Sequence, residues 1–97
     1  MFHHIVLLRL RDPDAAFLDA AASRVAQVRK DLPFLRSFDL VRNTARLRAG
    51  YDWAVLSSFD TAQDFDRYRL SEPHRQLEAF MAPQIVDLLV LDTETGD

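Results

Sequence analysis

Tyr68 and His74 are the residues of this sequence best suited to moving a proton near neutral pH. An imidazole can act there as a general base, and a phenol can orient a substrate or stabilise a developing enolate oxygen. His74 precedes Leu77 by three positions and Met81 by seven, which on a helix puts it on the inward stripe and not in solvent. Tyr68 follows Phe65 by three and shares that apolar side. The competing reading is structural, because a histidine beside Pro73 and an amphipathic tyrosine also serve as ordinary capping and packing residues.

The other candidates are weaker. His3 and His4 are neighbours in an apolar run, and neighbours on a strand point to opposite faces, so they cannot clasp one metal ion. His4 is expected to face a cavity together with Val6 and Leu8, or else to be a satisfied core residue. Trp53 and Val55 extend the expected cavity lining from a second strand. Trp53, Phe59 and Phe38 would line a pocket for a planar ligand or form a dimer core. Asp64 and Asp66 flank Phe65 and fall on different sides of a helix, so no paired-acid site is indicated. Gly50 and Gly96 are the only glycines, which leaves no phosphate loop, nucleophile elbow or nucleotide fingerprint, and no cofactor is expected.

The elements that would position these residues can be read along the chain. His4 to Leu10 is short and apolar on both alternating faces, as a strand covered on both sides would be. Asp12-Pro13-Asp14 offers an N-cap at Asp12 and a proline at the first helical position. Phe17, Ala21, Val25, Val28 and Leu32 then mark one face of an amphipathic helix that Pro33 ends. Phe34 to Arg42 reads as a less buried edge strand, 43–50 as a loop, and Trp53 to Phe59 as a third strand. Thr61 with Asp64 resembles a capping box. The second helix should pause near Ser71-Glu72-Pro73, resume through Leu77, Phe80 and Met81, and end at Pro83. Ile85 to Leu91 closes the chain as a fourth strand, and the tail from Thr93 to Asp97 is expected to be flexible.

This order, β-α-β-β-α-β, is the α+β ferredoxin-like arrangement: a four-stranded antiparallel sheet with two helices on one face. The 97 residues suffice for one domain, placed at 1–92, and for one core. The first and last strands are apolar on both sides, yet the helices cover only one. A second copy is the simplest cover for the other face, giving a homodimer through sheet faces and a dimeric α+β barrel.

A net charge of −3 with both signs interspersed argues against nucleic acid as a partner. The absence of cysteine excludes disulfides and thiolate chemistry. Ile5 to Leu8 is too short for a signal or membrane segment, so the expected setting is cytoplasmic with no membrane partner.

Three stretches carry a family resemblance: His4 to Leu10 at the start, Gly50-Tyr51 before the third strand, and Tyr68 through Pro73-His74 to Phe80. Together with Leu88-Leu89-Val90-Leu91-Asp92 they resemble the stress-responsive A/B barrel (Dabb) family over nearly the whole chain. The resemblance implies a homodimeric α+β barrel whose two sheets face each other across an interior cavity, and a role related to stress. One plant member is a polyketide cyclase that performs an aldol condensation without a cofactor, using a tyrosine and a histidine that match Tyr68 and His74. His4 matches a histidine of the same cavity. The family's His-Pro-x-His is replaced here by Ser71-Glu72-Pro73-His74, and a third-strand cavity histidine by Trp53. The leading expectation is a small hydrophobic or aromatic molecule bound in a barrel cavity. The alternative is a cofactor-independent cyclase or isomerase with His74 as base and Tyr68 as acid or orienter.

Overall fold

The structure is a computed structural model that describes residues 1–96. Its elements run β1 (Phe2–Leu10), α1 (Ala15–Asp31), β2 (Ser37–Arg42), β3 (Trp53–Phe59), α2 (Ala62–Arg69), α3 (Glu72–Met81), a short 3₁₀ turn (Ala82–Gln84) and β4 (Ile85–Glu94). This is the ferredoxin-like α+β order, with the second helix broken in two at the position where Ser71 and Pro73 interrupt it.

Local chemistry sets the boundaries. Asp14, and not Asp12, caps α1: its carboxylate accepts from the Phe17 amide at 2.7 Å. Asp12 instead turns the chain at φ 38°, a left-handed conformation that an N-cap does not adopt. β2 begins at Ser37 and not at Phe34, because the Leu35 amide bonds back to the Leu32 carbonyl and closes a turn after Pro33. Thr61 caps α2 as its spacing to Asp64 predicts, accepting from the Asp64 amide at 3.1 Å. β4 continues to Glu94, where Thr93 and Glu94 pair with His3 and Phe2, and Thr95 exchanges hydrogen bonds with Met1 at 2.9 Å. The expected flexible tail therefore begins in a strand, while its last residue, Asp97, lies outside the described residues.

The sheet is four-stranded in the order β2-β3-β1-β4, with every pair antiparallel. Register places His4 between Ser57 and Asp92, Val6 between Val55 and Val90, and Leu8 between Trp53 and Leu88. These residues share one face, and the helices pack on it. Leu8, Phe38 and Phe59 from the sheet meet Ala21, Val25, Val28, Tyr68, Leu77 and Met81 from the helices in one core. Phe38 and Phe59 are fully enclosed within the single chain. They accordingly form neither a dimer core nor a ligand lining, because α1 and α2 already cover them.

The opposite face carries Ile5, Leu7, Leu56, Leu89 and Leu91, with Leu56, Leu89 and Leu91 exposed by 39%, 51% and 54%. β4 is an edge strand beyond the reach of the helices. Even on the helix side, Leu88 and Val90 stay 42% and 53% exposed.

Candidate functional site

Between the sheet and the α2–α3 pair lies a cavity of about 350 Å³, within the size range of small-molecule pockets. Val6, Leu8 and Val55 form its floor, Leu77 and Met81 its roof, and Leu88 and Val90 its flank along β4. It lies between the two layers of one chain and not between two facing sheets, because the helices stand off β4 and leave room there.

The polar groups gather on one wall. Ser71 caps α3, and its hydroxyl donates to the Tyr68 carbonyl at 2.6 Å while accepting from the His74 amide at 3.3 Å. With Glu72 opening the helix and Pro73 second, His74 becomes the third helical residue and turns into the cavity. Its ring meets that of Tyr68 edge-on, with centroids 4.7 Å apart. The His74 Nδ1 atom is buried without a hydrogen-bond partner. A buried imidazole nitrogen left unpaired is costly in an unliganded chain and suits a ligand that would satisfy it.

Burial also holds the His74 pKa below its ordinary value, against the opposing charge of Glu78 and a weaker pull from the Arg69 carbonyl, which forms no well-aligned hydrogen bond. Tyr68, buried on the same wall, has its pKa pushed well above the ordinary phenol value by burial and by Glu78. At neutral pH the pair is therefore a neutral imidazole beside an un-ionised phenol, one able to accept a proton and the other to donate a hydrogen bond.

His4 enters from β1. Its ring stands 4.7 Å from that of Phe65 and 6.5 Å from that of Tyr68, and its Nδ1 bonds Asp92 Oδ1 at 2.5 Å. Since a carboxylate only accepts, Nδ1 carries the hydrogen of this bond.

Of the residues expected at a site, the structure brings His4, Val6, Leu8, Val55, Tyr68 and His74 to one cavity. Trp53 is not among its lining: it lies at the start of β3 with the Arg42 guanidinium 5.3 Å over its ring. Asp64 and Asp66 pair with Arg67 and Arg69 at 3.3 and 3.4 Å. Sequence reasoning missed Asp92, Glu78 and Phe65. Glu78 follows His74 by four and could have been found by helical spacing, whereas Asp92 depends on the register of β1 with β4. Among the described residues, no group of three or more His, Cys, Asp or Glu is placed to hold a metal ion, and no helix is long and apolar enough to cross a membrane.

Several solved structures share this fold. A dimeric ferredoxin-like protein of unknown function from Thermobifida fusca is 21% identical with a TM-score of 0.83, over 97% of this chain and 90% of its own. A hydroxynitrile lyase from Passiflora edulis is 17% identical with a TM-score of 0.86, over 99% and 94%. A Dabb family protein with a ferredoxin-like fold from Mesorhizobium loti is 13% identical with a TM-score of 0.82, over 99% and 97%. At such identities the likeness is one of fold. Comparison with curated protein sequences finds no match. The family model for the stress responsive A/B barrel domain matches residues 2–95, and the chain belongs to that family.

Proposed function

We propose that this protein binds a small hydrophobic or aromatic molecule in the cavity between its sheet and the α2–α3 pair, and that it works as a homodimer. The observation that carries this reading is the combination of a largely apolar cavity of about 350 Å³ with a buried, unpaired His74 Nδ1 on its wall. Apolar walls supply affinity in proportion to the area removed from water, and one unsatisfied polar atom supplies orientation. The homodimer is supported by the apolar outer face of Ile5, Leu7, Leu56, Leu89 and Leu91, and the similar protein from Thermobifida fusca is itself dimeric. A cytoplasmic setting belongs to the same reading, supported by a sequence without cysteine.

Native mass spectrometry of the purified protein tests both parts. A dimer carrying extra mass that is lost in a cavity-filling Val6→Phe variant is the expected result. A monomer would remove the assembly, and a dimer whose retained mass is indifferent to Val6→Phe would remove the cavity.

One observation favours a second reading, in which the same wall performs cofactor-independent acid–base chemistry. His74 is kept neutral and Tyr68 protonated, the states in which a base can abstract a proton and a phenol can support the resulting enolate oxygen. The fold does not choose between these readings, since folds host unrelated activities. Turnover of a panel of β-keto compounds by wild type, abolished in His74→Ala with fold and assembly intact, would establish the enzyme. Equal turnover by both would remove His74 from that role.

A further inference from the structure

The residues of α3 that line the cavity recur at steps of three and four: His74, Leu77, Glu78 and Met81. Leu77 and Met81 are the apolar side chains that such a stripe calls for, and His74 supplies the unpaired nitrogen described above. Glu78 fits neither role. It is exposed and yet belongs to the lining, so it stands at the rim, where the chamber meets water.

The other acids of the two helices are matched. Asp64, Asp66 and Glu72 pair with Arg67, Arg69 and Arg75, each three residues along the same helix. Those are all the arginines over 62–81, a stretch with no lysine, so Glu78 is the acid left over. Among the described residues it has no ion-pair partner. β4, which flanks the cavity, has no arginine, lysine or histidine over 85–94 to offer one. Among the described residues Arg69 is the one arginine or lysine on the lining, and Asp66 already answers its charge. The Glu78 charge is also felt at both rings of the polar wall. It adds to the rise of the Tyr68 pKa and opposes the fall at His74, where Arg69 acts more weakly and in the other direction.

From this arrangement we infer that Glu78 determines specificity: its unmatched carboxylate at the rim turns carboxylates and phosphates away, and the ligand is a compound whose polar end is an uncharged hydroxyl, carbonyl or amide. The inference rests on the cavity binding proposed above and narrows the class of ligand. An anion entering the chamber would give up water for apolar walls and a like charge, with no free cation to meet it. An uncharged head avoids both costs and can still hydrogen-bond with the Tyr68 hydroxyl and the neutral His74 ring. Selection by a repulsive group is a common route to specificity, because it penalises the wrong ligand without requiring a new contact to the right one.

Cinnamamide and cinnamate, which have nearly the same shape and differ in the charge of the head, test this when each is titrated by NMR into wild type, Glu78→Gln and Glu78→Lys. Glu78 is exposed, so both variants should keep their fold by circular dichroism. The readout is the ratio of the two dissociation constants. Wild type is expected to favour the amide by about tenfold, the scale of a like-charge repulsion in a partly wet site. The ratio should fall toward one in Glu78→Gln and turn in favour of cinnamate in Glu78→Lys. Added salt should shrink it in wild type and leave it alone in Glu78→Gln. A change in cavity shape would instead move both ligands together. Failure of both probes to bind wild type at millimolar concentration would overturn the cavity reading and this inference with it. Binding with a ratio near one in wild type, or with a ratio indifferent to Glu78→Gln, would overturn the role of Glu78 alone.

Discussion

His74 stands edge-on to Tyr68 across the joint between α2 and α3, with ring centroids 4.7 Å apart and ring planes at 67°. The Ser71 hydroxyl makes that arrangement by bonding the Tyr68 carbonyl on one side and the His74 amide on the other. Ser71→Ala is expected to lower stability by about 1 kcal/mol, the usual effect of losing a hydroxyl cap. It should also loosen the aim of His74. Thermal melting measures the first effect and ligand affinity the second. If neither moves, Pro73 alone suffices to start α3.

Among the described residues the Tyr68 hydroxyl has no hydrogen-bond partner, although its ring is buried in the core. The hydroxyl opens on the cavity and is not shut away as His74 Nδ1 is, so removing it while keeping the ring should be close to neutral for the fold. Tyr68→Phe should therefore keep the Tm while weakening binding or turnover. A clear drop in Tm would mean that the hydroxyl supports the fold instead.

Acid should act through His74. Burial holds its pKa below the ordinary value, with Glu78 and the Arg69 carbonyl opposing the shift and the His4 and Arg69 charges reinforcing it. The unfolded chain titrates near an ordinary histidine pKa of about 6.5, so below that pH it takes up a proton that the folded chain refuses. Stability is then lost from about pH 6.5 downward until the folded value is passed, and it levels off beneath. Tm measured across this range should fall more steeply for wild type than for His74→Gln. Parallel curves would place the acid sensitivity elsewhere.

Asp92 should dictate the tautomer of His4. The present pairing keeps the hydrogen on Nδ1. Asp92→Asn introduces a side chain that can donate as well as accept, so the tautomer preference should weaken. Nitrogen chemical shifts of the imidazole report it directly. An unchanged Nδ1–H tautomer in the variant would show that the backbone surroundings of His4 fix it without Asp92.

On the outer face, Leu56 and Leu89 flank the apolar strip that the second copy is proposed to cover. Leu56→Asp combined with Leu89→Asp should yield a folded monomer, because both residues are already exposed in one chain and a charge there disrupts association, not the core. A dimer that survives both changes would place the interface on another surface.

How much of this could be read in advance varied with the distance over which each feature is decided. The bounds of β3 follow from local alternation, and the break at Ser71-Pro73 from the fixed backbone of proline and a serine cap. Asp12 and Asp14 both suit a helix start by type, and only the backbone turn at Asp12 separates them. Tyr68 and His74 came together because six residues of helix and joint connect them. The His4–Asp92 pair was invisible because its partners lie 88 residues apart and meet through strand register alone. Trp53 shares a sheet face with Val55, as alternation predicts, but alternation does not say how far along a strand a cavity extends.

The pairing of the first strand with the last has a kinetic consequence. β1 is an interior strand of the finished sheet, yet one of its two neighbours is β4, the final element in chain order. Contacts so distant in sequence are slow to form, because the intervening chain must be ordered before they contribute. Until β4 docks, the run Ile5-Val6-Leu7-Leu8 keeps an open edge of unpaired backbone, a template for strands of other molecules. Refolding is therefore a competition between closing the sheet within one chain and exchanging strands between chains, and its yield should fall as protein concentration rises.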